Sequence, residues 1–342
     1  MKATVQVHWL ATTQYVYRVT RVRDLTGEHI IVTMMRHESL VEKHYMSTFQ
    51  RLASGLAFPE GPIALSDGSL LIVEMFGPYL TRIHANGRVE RICAVPGGPN
   101  GIAMGPDGRV YVCNNGAAFS GVFRNNNWDL WYSDVATYVG GAIQAIDLTT
   151  CAIETLYTQS DGIPLSAPND IVFDAHGGFY FTDLGYMHDT RKRTGIYYAS
   201  PHGDAMRFVV GSESANGVGL APDGETLYWN ITPTAQVMAC QLAAPGVVAH
   251  APQQLYRFDT GCMLDSLAID SAGNVCVAIL GAGAIGVITP TGELCEYYAT
   301  GSSGTTNICF GGADLRTAFV TLGGSGEVVT MRWPRAGLAL AW

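Results

Sequence analysis

Charge is scarce in this 342-residue chain: Asp, Glu, Lys and Arg make up 14% of it, against 48% hydrophobic residues. That balance excludes a disordered chain, which could not bury enough apolar surface to offset its lost entropy. Basic residues are scarcer still, 20 against 29 acidic ones, and the net charge of −9 leaves no global positive field to hold nucleic acid. No run of 18 apolar residues occurs, so no membrane span is expected. The first residues lack a compact apolar stretch ending in a small-residue cleavage site, so a cytoplasmic protein is expected rather than a secreted one. No Gly-rich loop opens a helix, which removes support for nucleotide phosphate binding. G-x-S-x-G is also missing, which leaves serine-nucleophile hydrolysis without support.

The eight cysteines, Cys93, Cys113, Cys151, Cys240, Cys262, Cys276, Cys295 and Cys309, form no C-x-x-C pair. A chain this long can stabilise itself by burial, so reduced, buried thiols are expected rather than a disulfide framework. The sequon Asn230-Ile231-Thr232 reads as strand. Residues 1–45 differ from the rest: they hold four of the nine histidines and more basic than acidic residues. Met46, followed by Ser47-Thr48, is a plausible natural start. Residues 1–45 are therefore expected to be an extension outside the main domain of residues 46–342, or else an appendage for a partner or subunit contact.

What the chain has in abundance is glycine, at 40 positions, and a repeat. Six segments begin at Glu60, Asn100, Asn169, Asn216, Asp265 and Thr306, spaced 40, 69, 47, 49 and 41 residues apart. Each is a short apolar strand, a turn rich in Asp and Gly, and a second, alternating strand; Asp67-Gly68, Asp107-Gly108 and Asp223-Gly224 supply hairpin turn chemistry. Further strand-like runs bring each unit to about four strands. Four-stranded units every 40–50 residues predict an all-β fold, a six-bladed β-propeller. The last unit is one strand short, and Phe49–Leu56 reads as the strand that completes it and closes the ring.

In a propeller the innermost strand of each blade lines a central tunnel, so the six lead residues are expected at one mouth of it. All six carry a side-chain oxygen and two are carboxylates. Any one Asn or Asp before Gly could be a turn residue; five Asn, Asp or Glu in one register point to a metal site. Oxygen ligands without His or Cys suit Ca²⁺ or Mg²⁺ rather than structural zinc. Glu60 and Asp265, brought to one small volume, would repel unless a cation lay between them.

Glu60-Gly61-Pro62, Pro168-Asn169-Asp170, Asn216-Gly217 and the run from Asp265 to Asp270 resemble the gluconolactonase, senescence-marker-protein and luciferin-regenerating-enzyme family. The stretch PNDIVFDAHGGFYFTDLGY at 168–186 and NICFGG at 307–312 extend the resemblance, which covers about residues 49–333. The family is similar in fold to diisopropyl fluorophosphatase and, more distantly, strictosidine synthase. The resemblance implies one divalent cation in the tunnel, Ca²⁺ first, with Mg²⁺, Mn²⁺ or Zn²⁺ as alternatives. It implies Glu60, Asn216 and Asp265 as metal ligands, Asn169 as a contact to metal or substrate that ligates Ca²⁺ in the fluorophosphatase-like relatives, and Asp265 also as the residue that activates water. Asn100 matches no ligand position of the family and is read as second-sphere or substrate-facing.

Two departures bear on specificity. Sugar-lactone members have an arginine where this chain has Ala167, and a glutamate in the region that here reads Tyr186-Met187-His188. Loss of groups that hold sugar hydroxyls changes specificity strongly. The largest insertion, between Cys113 and Ile143, carries Phe119, Phe123, Trp128, Trp131, Tyr132 and Tyr138; it is expected to pack on its own blade or to act as a lid shaping an apolar pocket. Among the histidines His188 is the candidate for substrate contact. The expected function is thus a metal-dependent lactonase acting on a small-molecule lactone or ester less polar than gluconolactone. The alternatives are a phosphotriester or fluorophosphate hydrolase on the same centre, and a non-enzymatic binding propeller.

Overall fold

The computed structural model describes residues 4–11, 15–24, 27–36 and 45–47 as strands and residues 49–342 throughout. Among the described residues there is no helix, and none long and apolar enough to cross a membrane. Six antiparallel sheets follow one another along the chain. Blade 1 is Pro59–Ala64, Leu70–Glu74, Tyr79–Ile83 and Val89–Ala94. Blade 2 is Pro99–Met104, Val110–Asn114, Ala142–Ile146 and Ile153–Tyr157. Blade 3 is Pro168–Phe173, Phe179–Asp183, Gly195–Ala199 and Met206–Gly211. Blade 4 is Ala215–Leu220, Thr226–Ile231, Gln236–Ala244 and Gln253–Arg257, with Val247–Val248 added beside its third strand. Blade 5 is Met263–Ile269, Val275–Leu280, Ala284–Ile288 and Leu294–Ala299. Blade 6 is Thr305–Gly311, Thr317–Leu322, Glu327–Arg332 and, from before blade 1, Gln50–Ser54, which pairs with Glu327–Arg332.

Each innermost strand packs on the next, and that of blade 6 packs on that of blade 1. The architecture is a six-bladed β-propeller. Its core is six apolar clusters, one between each neighbouring pair of blades. The cluster joining blade 6 to blade 1, built on Leu56, Leu70, Ile72, Ile83, Phe319 and Val328, resembles the other five. The second strands were expected to alternate. Leu70–Glu74, Val110–Asn114 and Phe179–Asp183 are instead buried along their whole length, because each blade is covered on both faces. Each fully buried aliphatic or aromatic side chain there stabilises by roughly 1.5–3 kcal/mol.

The turns from first to second strand share one device. Asp67, Asp107, Asp174, Asp223, Asp270 and Asp314 each accept on Oδ1 the amide two residues on, the turn that Asp side chains favour. These turns lie at the end of the ring opposite the lead residues. Residues beyond Trp333 cross that end: the Ser271 amide donates to Ala336, Leu338 to Ile269, and the Trp342 indole to the Asp174 carbonyl at 3.1 Å.

Two expectations concern the edges. The strands of the expected extension, residues 1–45, belong to an antiparallel sheet separate from the six blades, whose fourth strand is Tyr45–Ser47; the side chains of that sheet, and residues 1–3, 12–14, 25–26 and 37–44, lie outside the described residues. The expectation of eight reduced thiols is corrected. Cys93, in the outer strand of blade 1, and Cys151, in a turn of blade 2, form a disulfide with Cα atoms 5.5 Å apart. They are 58 residues apart in sequence, and only the packing of blade on blade brings them together. The other six cysteines are free. Asn230 is fully buried in a strand, as the strand reading of the sequon requires.

Candidate functional site

Every innermost strand carries an irregularity at the same place. The register shifts between Glu60 and Ile63, Pro99 and Ile102, Pro168 and Ile171, Ala215 and Val218, Leu264 and Leu267, and Thr305 and Asn307. A β-bulge re-aims the side chains beside it and frees backbone groups from the ladder. Here the bulges fall on the six lead residues, which are all no more than 8% exposed. The glycines that follow several of them have a steric cause. A Cβ on Gly61, itself at φ 52°, would stand 2.5 Å from the Asn100 carbonyl oxygen, and one on Gly101 2.5 Å from that of Asn169. Between blades 1 and 2 and between blades 2 and 3 the inner strands converge so closely that only glycine fits at these two positions.

Glu60 and Asp265 are both buried, and the charge of Asp170 bears on both. Burial, then the negative charge of Asp265, pushes the Glu60 carboxyl well above the ordinary carboxylate range; the Gly61 amide at 3.2 Å and the Asn307 side chain at 3.4 Å oppose that shift. Burial raises Asp265 to about 8, offset by a hydrogen bond from the Asn216 side chain and reinforced by the charge of Asp170. Asn216 also donates from Nδ2 to Thr232 Oγ1 at 3.1 Å. The side-chain oxygens of Asn169 and Asn216 are buried and have no hydrogen-bond partner. A buried acceptor left unpaired costs about 1–3 kcal/mol.

Asp170 was not singled out from the sequence. It is buried, and burial raises its carboxyl to about 7 against hydrogen bonds from the Ile171 and Val218 amides and the Ser266 side chain. Its signal was the position after the lead residue, which is Gly in blades 1, 2 and 4 but Asp170, Ser266 and Asn307 in blades 3, 5 and 6. Among the described residues no three His, Cys, Asp or Glu side chains group as an ion site by themselves. Any cation here would therefore need the asparagine oxygens as well. The donor set fits one: two orphaned neutral oxygens beside two carboxylates whose mutual repulsion a dication would relieve.

Asn100 is buried at the equivalent place in blade 2. His188 lies apart: it is exposed, on the connection after the second strand of blade 3, with its ring edge-on to Tyr186 at 5.3 Å.

The insertion in blade 2 joins second to third strand and so emerges at the lead-residue end, where Pro99 pairs with Asn114. It forms a hairpin, Phe119–Arg124 with Asn127–Tyr132, turned by Asn125 and Asn126 at φ 51° and 61°, the conformation of a type I′ turn. It is fastened on two sides. Toward blades 6 and 1 the Trp128 amide donates to Gly324 at 2.7 Å and its indole to the Leu56 carbonyl at 3.1 Å. Toward blade 3 the Tyr138 hydroxyl donates to the Ser166 carbonyl at 2.7 Å and that of Tyr186 to the Ser133 carbonyl. Ala167 is buried in a cluster with Ala118 and Tyr186, against which Phe119, Tyr132 and Tyr138 pack. The position is enclosed by aromatic packing.

Comparison with known proteins matches residues 58–324 to the model of the SMP-30/gluconolactonase/LRE-like region. A Staphylococcus haemolyticus protein named lactonase drp35 is 27% identical over 241 residues, 68% of this chain and 66% of that protein; the chain thus spans about two thirds of that relative's length. Among solved structures, a gluconolactonase from Xanthomonas campestris superposes with a TM-score of 0.68 at 18% identity, covering 98% of this chain and 99% of that one. Regucalcin from Agrobacterium tumefaciens, described as a calcium-binding protein, superposes with a TM-score of 0.68 at 18% identity over 85% of this chain and 95% of its own. At these identities the two structures speak for the fold.

Proposed function

Because the chain belongs to the SMP-30/gluconolactonase/LRE-like family, we propose that it is a divalent-metal-dependent hydrolase that opens the ring of a lactone less polar than gluconolactone. The observation that carries this reading is the pair of buried, unpartnered oxygens of Asn169 and Asn216 beside the buried carboxylates of Glu60 and Asp265. Those four residues would hold the cation, with Ca²⁺ the first candidate. When bound, the cation supplies Lewis-acid polarisation of the substrate carbonyl and lowers the pKa of a water.

The chain's own residues do the rest. Asp265, oriented by the Asn216 side chain, accepts a proton from the water as its oxygen bonds to the lactone carbonyl carbon. The ring carbon–oxygen bond then breaks, and the departing oxygen takes up the proton that Asp265 had accepted. Burial of the lead residues excludes bulk water, which strengthens every polar contact made there. Asn100 faces the substrate from blade 2, and His188 is a substrate contact only for a group that reaches the rim. The apolar reading rests on Ala167, enclosed by aromatic side chains where a sugar-lactone site has an arginine. Residues 49–342 form the catalytic propeller, and the chain before them, whose last strand is Tyr45–Ser47 of the separate sheet, is an appendage to it.

The test is a screen of the purified chain against sugar, alkyl and aryl lactones and against phosphotriesters, each with added Ca²⁺ and with EDTA. Metal-dependent lactone opening that favours apolar lactones is expected. Turnover of phosphotriesters alone would move the assignment to that class, and protein that retains no metal and turns over nothing would leave a binding propeller.

A further inference from the structure

Four aromatic rings run in sequence outward from the lead-residue end of the propeller. Phe58 and Phe76 have centroids 5.2 Å apart, Phe76 and Trp128 5.1 Å, and Trp128 and Phe123 5.6 Å. The inner end is at the candidate centre. Phe58 precedes Glu60 by two residues, and a Cβ on Gly323 would touch both its ring and the Thr306 side chain, so the ring lies beside the lead residue of blade 6. The outer end reaches solvent, with Phe123 47% exposed.

The row is held rigidly. Phe58 has φ 61°, a region that costs a bulky residue on the order of 1–3 kcal/mol and persists only where the surroundings enforce it. Its carbonyl accepts the Met75 amide at 3.0 Å. Trp128 is fixed by the two hydrogen bonds to Gly324 and Leu56. Gly121 brings the hairpin onto the face of Phe76, where a Cβ would stand 2.2 Å from the ring. Rings fixed in advance offer apolar area to a ligand at little entropic cost.

We propose that this row is the binding wall for an alkyl or aryl substituent of the substrate, and that Phe58, Phe76 and Trp128 are specificity-determining residues selecting lactones with a hydrophobic substituent on the ring. The proposal rests on the lactonase reading. The substituent leaves the lead-residue ring past Phe58 and lies along Phe76 and Trp128 toward Phe123. Each methylene buried along this path raises kcat/KM by up to about fourfold.

The experiment uses the full chain loaded with Ca²⁺ and a series of γ-lactones from γ-butyrolactone to long unbranched substituents. Wild type is compared with Phe76→Ala, Trp128→Ala and the conservative Trp128→Phe, all checked for an intact melting transition. A second readout, independent of turnover, is the calorimetric affinity of the matching γ-lactams. In wild type, kcat/KM and lactam affinity should rise with substituent length. The ratio of longest to unsubstituted substrate should fall at least tenfold in Trp128→Ala and Phe76→Ala, mainly through KM, and be largely kept in Trp128→Phe. A flat length dependence in wild type, or folded alanine variants that keep the wild-type ratio, would overturn the wall. If no lactone is opened at all, the lactonase reading fails, and length-independent lactam affinity would then sink the wall as well.

Discussion

Asn230, on the second strand of blade 4, donates from Nδ2 to the backbone carbonyl of Asp265, on the first strand of blade 5, at 2.7 Å. The same relation holds one blade earlier, where the Thr182 hydroxyl of blade 3 donates to the Asn216 carbonyl of blade 4. A bulge deprives its carbonyls of ladder partners, and a buried carbonyl must find another donor. A polar side chain from the preceding blade supplies it. The device couples the aim of one blade's lead residue to the seating of its neighbour.

Asn230→Ala should therefore act at a distance from any ligand role. The Asp265 carbonyl loses its donor inside the protein, which costs about 1–3 kcal/mol. The expected outcome is a lower melting temperature together with weaker Ca²⁺ binding in chelator competition. Unchanged Ca²⁺ affinity in the folded variant would show that Asp265 is aimed by its own strand.

The repeat was legible because a propeller writes its period into the chain, and the turns confirm it: Gly68, Gly108 and Gly224 have φ of 82°, 76° and 71°. The lead residues were legible for the same reason. Asp170 was missed because two of its three partners, the Val218 amide of blade 4 and the Ser266 side chain of blade 5, lie on other blades that the local pattern does not name. Phe58 was missed because nothing in a sequence marks a phenylalanine for positive φ. The pairing of Cys93 with Cys151 depends on the packing between blades 1 and 2. His188 was favoured by its nearness in sequence to FTDLGY; Tyr186 is buried and His188, two residues on, is exposed against its ring.

Cys93→Ser removes a cross-link closing a loop of 58 residues. Such a link stabilises by about 2–4 kcal/mol, chiefly by restricting the unfolded chain. The variant should melt below wild type under oxidising conditions, and the two should converge when dithiothreitol is added. Equal melting temperatures without reductant would mean that the bond does not contribute.

Glu74 gives a pH prediction. It is fully buried in blade 1, accepting the Ala57 amide at 2.9 Å, Thr81 at 2.7 Å and two bonds from Arg91, each at 2.9 Å. Burial alone would raise its carboxyl, but Arg91, the Ala57 amide and Thr81 together hold it below 4.5. A folded pKa below the unfolded one means that the contribution is complete above about 4.5 and lost as pH falls through the folded value. The stability gap between wild type and Glu74→Gln should be constant from pH 7 to 5 and narrow below pH 4.5, followed by urea unfolding. A gap that widens on acidification would contradict the sign.

Asp265→Asn separates holding a cation from moving a proton. The amide keeps the size and one oxygen but carries no negative charge and cannot accept the proton. If Asp265 acts only as a ligand, weaker Ca²⁺ binding should be the whole defect, and saturating Ca²⁺ should restore much of the rate. If it also takes the proton from the attacking water, kcat should stay about 10²–10⁴-fold low with the site filled. The second outcome is expected. Glu60 remains as a charged ligand in the variant, His188 lies exposed on the rim, and Asp170 is engaged by the Ile171 and Val218 amides and Ser266. That leaves Asp265 as the proton acceptor proposed among the lead residues. Measuring kcat across a Ca²⁺ titration decides it, and near-normal turnover at saturation would leave Asp265 as a ligand alone.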